Sequence, residues 1–195
     1  MMWTEIDAQI SQATQKKFET QQRRGVSGGC INQGYCLTDG VRTYFVKLNQ
    51  ASQVSMFEAE ALGVQQMYDT STIRVPKPVC YGVAGNSCYI VLEWLEMGRG
   101  NSKSFEEMGR KLAQMHQKSL SKSFGWEMNN TIGSTPQINT WTDDWVVFWI
   151  QHRLEYQFQL GKRRGGSFPQ ADELVSAIPE LLARQEVNPS LGHGD

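Results

Sequence analysis

Several residues able to act on a phosphate group lie at defined intervals in the first fifty positions. Lys47 belongs to the strand-like run TYFVKL, where alternation puts it on the same face as Phe45. Two adjacent glycines, Gly28 and Gly29, precede that run, and free backbone amides at such a pair can cradle phosphate oxygens. A lysine that projects from a strand after a glycine-rich turn can hold the phosphates of a nucleotide. The alternatives are a plain hairpin turn and an edge-strand lysine that reaches water.

The helix-like run that follows offers a carboxylate partner for this lysine. At 100° per residue, Glu60 lies about 60° from Phe57, at the border of the apolar stripe, whereas Glu58 lies about 100° away on the other side. A lysine inside a binding site needs a carboxylate to stay charged and oriented. We therefore predict that Glu60, rather than Glu58, pairs with Lys47; a surface glutamate is the alternative. The stripe consists of apolar residues at helical spacing: Phe57, Ala61, Val64 and Tyr68.

Two further stretches carry polar groups toward a site. The continuous apolar run CYIVL predicts a buried strand that leads into Glu93, Trp94 and Leu95. Backbone groups exposed at such a strand end can hydrogen-bond the edge of an adenine, although other strands that lead into linkers look similar. The final stretch, NPSLGHGD, predicts a strand, a tight turn and a carboxylate, Asp195, directed at a site.

Composition limits the class of protein. The chain has 195 residues, of which 39% are hydrophobic and 20% charged, and a net charge of -1. These values are typical of a soluble globular protein and predict no binding to nucleic acid or membrane. No apolar run reaches the roughly 18 residues of a membrane span, and the first residues lack the apolar core of a signal peptide. The four cysteines form no C-x-x-C pair, which favours buried free thiols in the cytoplasm over a metal site or disulfides.

A β-rich first part positions the phosphate-binding candidates. We predict that residues 1–96 contain a helix at about 3–14, several strands and the helix that carries Glu60. An Asp39-Gly40 pair between two β-rich runs predicts a hairpin. The Gly-, Asn- and Ser-rich residues 97–103 predict a connector.

The second part, residues 104–195, is predicted to be mainly helical. Ser104 and Glu107 predict a capping box at the start of its first helix. Acidic residues up to Asp144 predict the start of a second helix, because carboxylates favour helix N-termini. The residues of that helix, 145–160, are so apolar that we predict it to be largely buried.

Together these stretches resemble the fructosamine kinase family over essentially the whole chain. FVK and HGD recur across the protein-kinase-like superfamily, which includes the aminoglycoside phosphotransferases, whereas FGW, NNTIGSTPQINTW and DDW are specific to the narrower family. The resemblance implies an α+β, protein-kinase-like two-lobed fold with a β-rich N-terminal lobe and an incomplete helical C-terminal lobe. The stretches that carry it are GGCI, FVK, FEAEALG, VLEWL, GRKLAQMH, FGW, NNTIGSTPQ, NTW, DDW and HGD.

The resemblance implies an ATP-dependent kinase that phosphorylates a sugar hydroxyl of a glycated amine, free or protein-bound, as a repair reaction. Asp195 would be the catalytic aspartate that accepts or orients the hydroxyl proton, and His193 would brace its loop. The family's magnesium ligands follow this aspartate, so we expect no metal site within these residues and no activity from them alone. Gly192 departs from the large apolar residue usual at its position, which would loosen the loop. The implied ATP-binding residues are Gly28, Gly29, Lys47, Glu60, Glu93, Trp94 and Leu95.

Residues in the family-specific stretch are implied to line the sugar side of the site. They are Asn139, Trp141 and Trp145, for which core packing is the alternative. Cys30 lies in the glycine-rich turn, where backbone amides can lower its pKa and make it redox-sensitive. Some family members carry a cysteine there, so a disulfide between subunits is a hypothesis. An apolar face left uncovered on the helix at 145–160 would favour self-association.

Two other functions stay open at the level of the sequence. The first is a phosphotransferase of the same fold that acts on an aminoglycoside or an amino alcohol. The second is an inactive truncated or pseudokinase module that binds nucleotide or a partner without turnover, because no metal-ligating residue follows Asp195. Phosphorylation assays across these substrate classes separate the first alternative from the ketoamine kinase.

Overall fold

The computed structural model describes residues 1–27, 31–182 and 185–192. The chain forms two compact units, Met1–Lys118 and Ser119–Asp195.

The first unit is a five-stranded antiparallel sheet with helices packed on it. The strand order is β1-β2-β3-β5-β4, so the strand that carries Lys47 is central. A 3-10 turn at Ala51–Gln53 joins β3 to the helix that follows. The other elements are α1 (Met2–Thr14), β1 (Gln22–Val26), β2 (Gln33–Thr38), β3 (Thr43–Gln50), α2 (Val54–Asp69), β4 (Pro78–Ala84), β5 (Ser87–Glu93) and α3 (Ser102–Lys118).

Alternation along β3 separates two apolar clusters, one on each face of the sheet. Val46 and Leu48 belong to the cluster that includes the buried α1 residues Ile6 and Ile10. Phe45 packs on the opposite cluster, whose buried members come from α2 and β5: Phe57, Ala61, Cys88, Ile90 and Leu92. Because side chains alternate along a strand, Lys47 shares the α2 face with Phe45.

The predicted hairpin at Asp39-Gly40 is confirmed. The Asp39 carboxylate accepts hydrogen bonds from the Val41 amide at 3.0 Å and the Arg42 amide at 2.6 Å. Gly40 has a φ of 87°, in the left-handed region that favours glycine. Strands β2 and β3 are therefore joined with a fixed register, which places Gly34 opposite Lys47.

Helix α3 begins before the residue that we predicted as its cap. Asn101 Oδ1 accepts from the Ser104 amide at 3.0 Å, and Ser104 Oγ accepts from the Asn101 amide at 2.7 Å. The capping box is thus formed by Asn101 and Ser104, and the predicted pair of Ser104 and Glu107 is wrong. Glu107 forms an ion pair with Lys111 at 2.7 Å instead, as residues one helical turn apart do.

Residues 94–101 include most of the predicted connector and form neither helix nor strand. Helix α3, which follows them, belongs to the first compact unit. The boundaries predicted for the two lobes, 1–96 and 104–195 on either side of a connector at 97–103, stay a prediction.

The second unit contains short strands and helices around aromatic residues. Its elements are β6 (Asn130–Ile132), β7 (Thr135–Gln137), α4 (Trp145–Trp149), a π-helical segment (Ile150–Glu155), α5 (Tyr156–Arg163) and α6 (Ala171–Leu182). The predicted acidic start of the second helix is confirmed, because the Asp144 carboxylate accepts from the Val147 amide at 2.8 Å.

The same helix is less buried than its composition suggested. From Trp145 to Leu160 only Phe148 is buried, so the prediction of a largely buried helix is wrong. Its aromatic rings pack on one another along the helix, with Trp145 5.5 Å from Trp149 and 6.1 Å from Phe148 between ring centroids. Apolar content alone therefore did not indicate enclosure by other elements.

The structure also bears on the thiols and on membrane association. Cys36 and Cys88 are buried free thiols, and Cys80 is a half-buried one; Cys30 lies outside the described residues. Across the three described ranges, the helices are all too short or too polar to cross a membrane.

Candidate functional site

Lys47 and Glu60 form an ion pair on the α2 face of the sheet. Lys47 Nζ lies 2.7 Å from Glu60 Oε1, and the two side chains are 30% and 23% exposed. Glu58 is turned elsewhere, because its carboxylate accepts a hydrogen bond from the Tyr81 hydroxyl at 3.1 Å. The predicted choice of Glu60 over Glu58 is confirmed. The pair orients the ammonium and leaves it partly open to solvent.

The strand register determines which residues flank Lys47 in the sheet. Gly34 of β2 is its direct neighbour, and Ile90 of β5 is its neighbour on the other side. A Cβ atom at Gly34 would lie 2.9 Å from the Val26 carbonyl oxygen and 3.2 Å from the Phe45 ring. A side chain there would force those groups apart, so β2 presents only backbone beside the ammonium. A glycine inside a strand often marks a place where a ligand can approach the backbone closely.

Aromatic rings from β3 and from the end of β5 lie close together. The Trp94 ring lies 6.4 Å from the Phe45 ring between centroids, and Trp94 Nε1 donates to Glu96 Oε1 at 2.7 Å. The guanidinium carbon of Arg24 lies 5.0 Å from the Trp94 ring centroid, within cation–π range. Sequence reasoning missed Arg24, although the two-residue period of β1 could have placed it on one face with Val26.

The backbone at the end of β5 is partly committed. The Glu93 amide donates to the Lys77 carbonyl at 2.8 Å. Neither the Leu95 amide nor the Trp94 amide has a hydrogen bond in the described residues, so both predicted strand-end donors are open to a ligand. The Glu93 side chain is bound by Arg74, a residue that sequence reasoning also missed.

Asn139, a predicted substrate-side residue, is buried and fully hydrogen-bonded in the second unit. It is 4% exposed. Its Nδ2 donates to the Met128 carbonyl at 3.1 Å and to Asn130 Oδ1 at 2.9 Å, and its Oδ1 accepts from Arg153 Nη2 at 2.8 Å. These contacts give Asn139 a structural role beside the β6–β7 hairpin. A contact with substrate stays a prediction.

Arg153 reaches this hairpin from the π-helical segment Ile150–Glu155. Its Nη1 donates to the Ile138 carbonyl at 2.6 Å, and its guanidinium carbon lies 4.6 Å from the Phe148 ring centroid. Burial lowers the pKa of Arg153. A π-turn changes which side chains of a helix face a neighbour, and such turns are frequent at functional sites. No pattern in the sequence indicated this turn.

The two predicted tryptophans differ in accessibility. Trp141 is 48% exposed, whereas Trp145 is half-buried and packs on Phe124 with a centroid distance of 5.2 Å. Gly125 makes the chain crossing beside Trp141 feasible, since a Cβ there would lie 2.8 Å from the Trp141 Cα. Trp141 is thus the better placed of the two to meet a ligand.

The stretch before the His-Gly-Asp triplet is held by backbone pairing. The Ser121 amide donates to the Pro189 carbonyl at 2.9 Å, and the Leu191 amide donates to the Ser119 carbonyl at 3.3 Å. At Gly192 a Cβ would meet none of the described residues within 4 Å, so their packing does not require glycine there. Several predicted site residues lie outside the described residues: Gly28, Gly29, Cys30, His193 and Asp195.

Metal ligands are not gathered in the described ranges. Among residues 1–27, 31–182 and 185–192, no group of three His, Cys, Asp or Glu residues could hold a metal ion.

Comparison with known proteins places the chain in a family. A sequence model described as fructosamine kinase matches residues 2–195. A probable ketoamine kinase from Synechocystis is 54% identical over 99% of this chain and 65% of its own length. The chloroplastic protein-ribulosamine 3-kinase of Oryza sativa subsp. japonica is 42% identical over 87% of this chain and 51% of its own length. The chain therefore spans less than two thirds of these relatives.

Solved structures agree with this assignment. The crystal structure of a protein assigned as a fructosamine-3-kinase from Haemophilus somnus 129PT superposes with a TM-score of 0.88 at 28% identity, over 97% of this chain and 64% of that one. The aminoglycoside phosphotransferase APH(4)-Ia, at 12% identity and a TM-score of 0.52 over 93% of this chain and 60% of that one, shares the fold alone. The predicted α+β, protein-kinase-like fold is confirmed, and the chain belongs to the fructosamine kinase family.

Proposed function

We propose that the full-length protein is an ATP-dependent kinase that phosphorylates a sugar hydroxyl of a glycated amine. The observation that carries the proposal is the 2.7 Å ion pair of Lys47 and Glu60 on the α2 face of the sheet, in a chain that the fructosamine kinase family matches over residues 2–195. A charged lysine fixed in this way neutralises phosphate oxygens and keeps them in one orientation.

In this proposal, residues of the first unit bind the ATP. Lys47, held by Glu60, would neutralise charge on the phosphates, and the amides near Gly28 and Gly29 would close over them. The Leu95 amide would donate to the adenine edge beside the Trp94 ring. ATP supplies the phosphoryl group when bound.

The roles proposed for the residues at the reacting hydroxyl, Asp195 and His193, are supported by the sequence alone. Asp195 would accept or orient the proton of the sugar hydroxyl, and His193 would brace it. Magnesium is the metal that this chemistry uses. The described residues offer no set of ligands for it.

The substrate class follows from the relatives. Their names specify ketoamine kinase and protein-ribulosamine 3-kinase, which supports a ketoamine on a small molecule or a protein. Trp141, 48% exposed, would stack on the apolar face of the sugar. We also propose a reducing compartment such as the cytoplasm, because Cys36 and Cys88 are free thiols.

The test is a substrate panel with the full-length protein. ATP and magnesium are supplied with ribulosyl-lysine, fructosyl-lysine, free ribose, an aminoglycoside or an amino alcohol, and ADP release is measured. We expect turnover of one or both ketoamines, and its loss by orders of magnitude in Asp195→Asn with ATP binding retained. Turnover of the aminoglycoside alone would contradict the substrate class. ATP binding without turnover of any compound would favour a binding module.

A further inference from the structure

Arg74 holds the residue at which β5 ends. Arg74 Nη2 donates to Glu93 Oε1 at 2.6 Å, and Arg74 Nη1 donates to Glu93 Oε2 at 3.0 Å. This is the two-point contact in which a planar guanidinium fixes both the position and the orientation of a carboxylate. Arg74 Nη1 also donates to the Val75 carbonyl at 3.0 Å, so the guanidinium is itself tied to the backbone.

Backbone contacts complete the attachment of Glu93 to the segment that leads into β4. The Lys77 amide donates to Glu93 Oε2 at 3.1 Å, and the Glu93 amide donates to the Lys77 carbonyl at 2.8 Å. Glu93 is therefore held through its side chain and its main chain at once. Residues 94–101, which follow directly, form neither helix nor strand. Glu93 is therefore the last residue before this irregular stretch that is held by Arg74 and Lys77.

We propose that Arg74 is a positioning residue for the nucleotide base: through Glu93 it fixes the strand end from which the Leu95 amide is presented. The inference rests on the proposed function, in which that amide donates to adenine. Arg74 itself makes no contact with the nucleotide in this proposal. A hydrogen bond to a base edge is sensitive to small displacements, so an anchor two residues upstream controls its geometry.

The clamp has a second consequence for an anionic ligand. The Arg74 hydrogen bond lowers the pKa of the Glu93 carboxyl, in keeping with a stabilised negative charge. An ionised carboxylate beside a nucleotide would repel its phosphates unless a cation held it. Arg74 supplies that cation and keeps the carboxylate turned toward residues 74–77.

The test uses Arg74→Met in the full-length protein. Methionine keeps an unbranched apolar side chain at this position but removes the positive charge and the hydrogen-bond donors. We expect the KM for ATP to rise about tenfold, with kcat and the KM for the ketoamine changed less than about twofold. Arg74→Lys, which restores charge with fewer donors, is expected to recover part of the loss. Glu93→Gln is expected to raise the KM for ATP in the same way.

A matched control comes from α3. Arg110 pairs with Glu106 at 2.7 Å, and its side chain is 58% exposed, as is that of Arg74. Arg110→Met removes a similar ion pair away from β5 and is expected to leave every kinetic constant unchanged. An Arg74→Met protein with the wild-type KM for ATP would overturn the inference. A fall in thermal stability and kcat together with a rise in both KM values would also overturn it, because that combination would indicate a general structural role.

Direct binding separates this inference from the proposed function. If the wild-type protein phosphorylates no ketoamine, the proposed function fails, and calorimetric titration with ATP still tests the role of Arg74. A roughly tenfold weaker Kd in Arg74→Met than in wild type and Arg110→Met would support the inference. Equal Kd values in all three proteins would refute it. If Arg74→Met does not fold, Glu93→Gln takes its place in the same comparison.

Discussion

Lys47 Nζ of β3 lies 2.7 Å from Glu60 Oε1 of α2, across a separation of 13 residues in the chain. The contact joins the central strand to the helix on its α2 face, and both side chains are less than one third exposed. Partial burial makes the charge of either partner costly without the other. The ion pair therefore both holds α2 against β3 and orients the Lys47 ammonium.

The two glutamates of α2 give a matched test of this pair. In the full-length protein we expect Glu60→Gln to lower kcat/KM for ATP at least tenfold, because the ammonium loses its charged partner and its fixed orientation. Glu58→Gln removes the same charge two residues away and is expected to lower it less than twofold. Lys47→Met is expected to remove measurable turnover. Equal effects of the two glutamate variants would contradict the assignment of Glu60.

The second unit allows a structural asparagine to be distinguished from a ligand-facing tryptophan. Asn139→Ala leaves Arg153 Nη2 and the Met128 carbonyl without their partners in a buried place, so we expect a loss of about 2–3 kcal/mol in the free energy of unfolding. Trp141→Ala, at a half-exposed position, is expected to cost less than about 1 kcal/mol but to raise the KM for the ketoamine.

Urea unfolding and steady-state kinetics on both variants decide this pair of predictions. If Asn139→Ala keeps wild-type stability and raises the KM for the ketoamine, Asn139 contacts substrate and its structural assignment is wrong. If Trp141→Ala unfolds as readily as Asn139→Ala, Trp141 is a packing residue.

Sequence periodicity predicted the elements that carry the candidate phosphate site. The two-residue alternation of β3 and the helical spacing of α2 were enough to orient Lys47 and Glu60 toward each other, because both are local properties of the chain. The Asp39-Gly40 turn was equally local. These signals place a side chain on a face without knowledge of the remaining fold.

The missed features depend on contacts distant in sequence. Arg74 meets Glu93 across 19 residues from outside any helix or strand, and Arg153 meets Asn139 from a π-helical segment that shifts the face predicted from a regular helix. The cap of α3 was misplaced by one turn because Ser104 can act as a cap or as the partner of one. The burial of the helix after Asp144 was overestimated because composition does not specify which neighbours enclose a ring.

Two glycines provide opposite predictions for the same substitution. Gly125 has a φ of 141°, and a Cβ there would lie 2.8 Å from the Asn139 carbonyl oxygen. We expect Gly125→Ala to destabilise the protein by about 2 kcal/mol or more. Gly109 is an exposed position inside α3 where a Cβ meets nothing within 4 Å, so Gly109→Ala is expected to stabilise by about 0.5–1 kcal/mol.

Chemical denaturation of these glycine variants by urea measures both changes. If the urea midpoint changes little in both variants, the backbone around Asn139 and Trp141 moves enough to accept a methyl group at Gly125. A loss of stability in Gly109→Ala would show that α3 contacts another group at that face.

His152 predicts a specific pH dependence of stability. Burial, and then the charge of Arg153, lowers the pKa of His152 in the folded protein. Between that lowered pKa and the ordinary value near 6.5, the unfolded chain binds a proton that the folded protein does not. The free energy of unfolding therefore falls as the pH drops below about 6.5. The neutral ring is held beside Thr142 Oγ1 at 3.4 Å and edge-on to Phe148.

His152→Gln removes the titrating group while it keeps an amide near Thr142. We expect the wild-type protein to lose more stability than this variant between pH 7.5 and 5.5, at constant ionic strength, because only the wild type has a ring at this position that takes up a proton on unfolding. Urea unfolding of both proteins at the two pH values measures the difference. Parallel losses would mean that other groups account for the pH dependence, and a larger loss in the variant would mean that the protonated ring stabilises the fold.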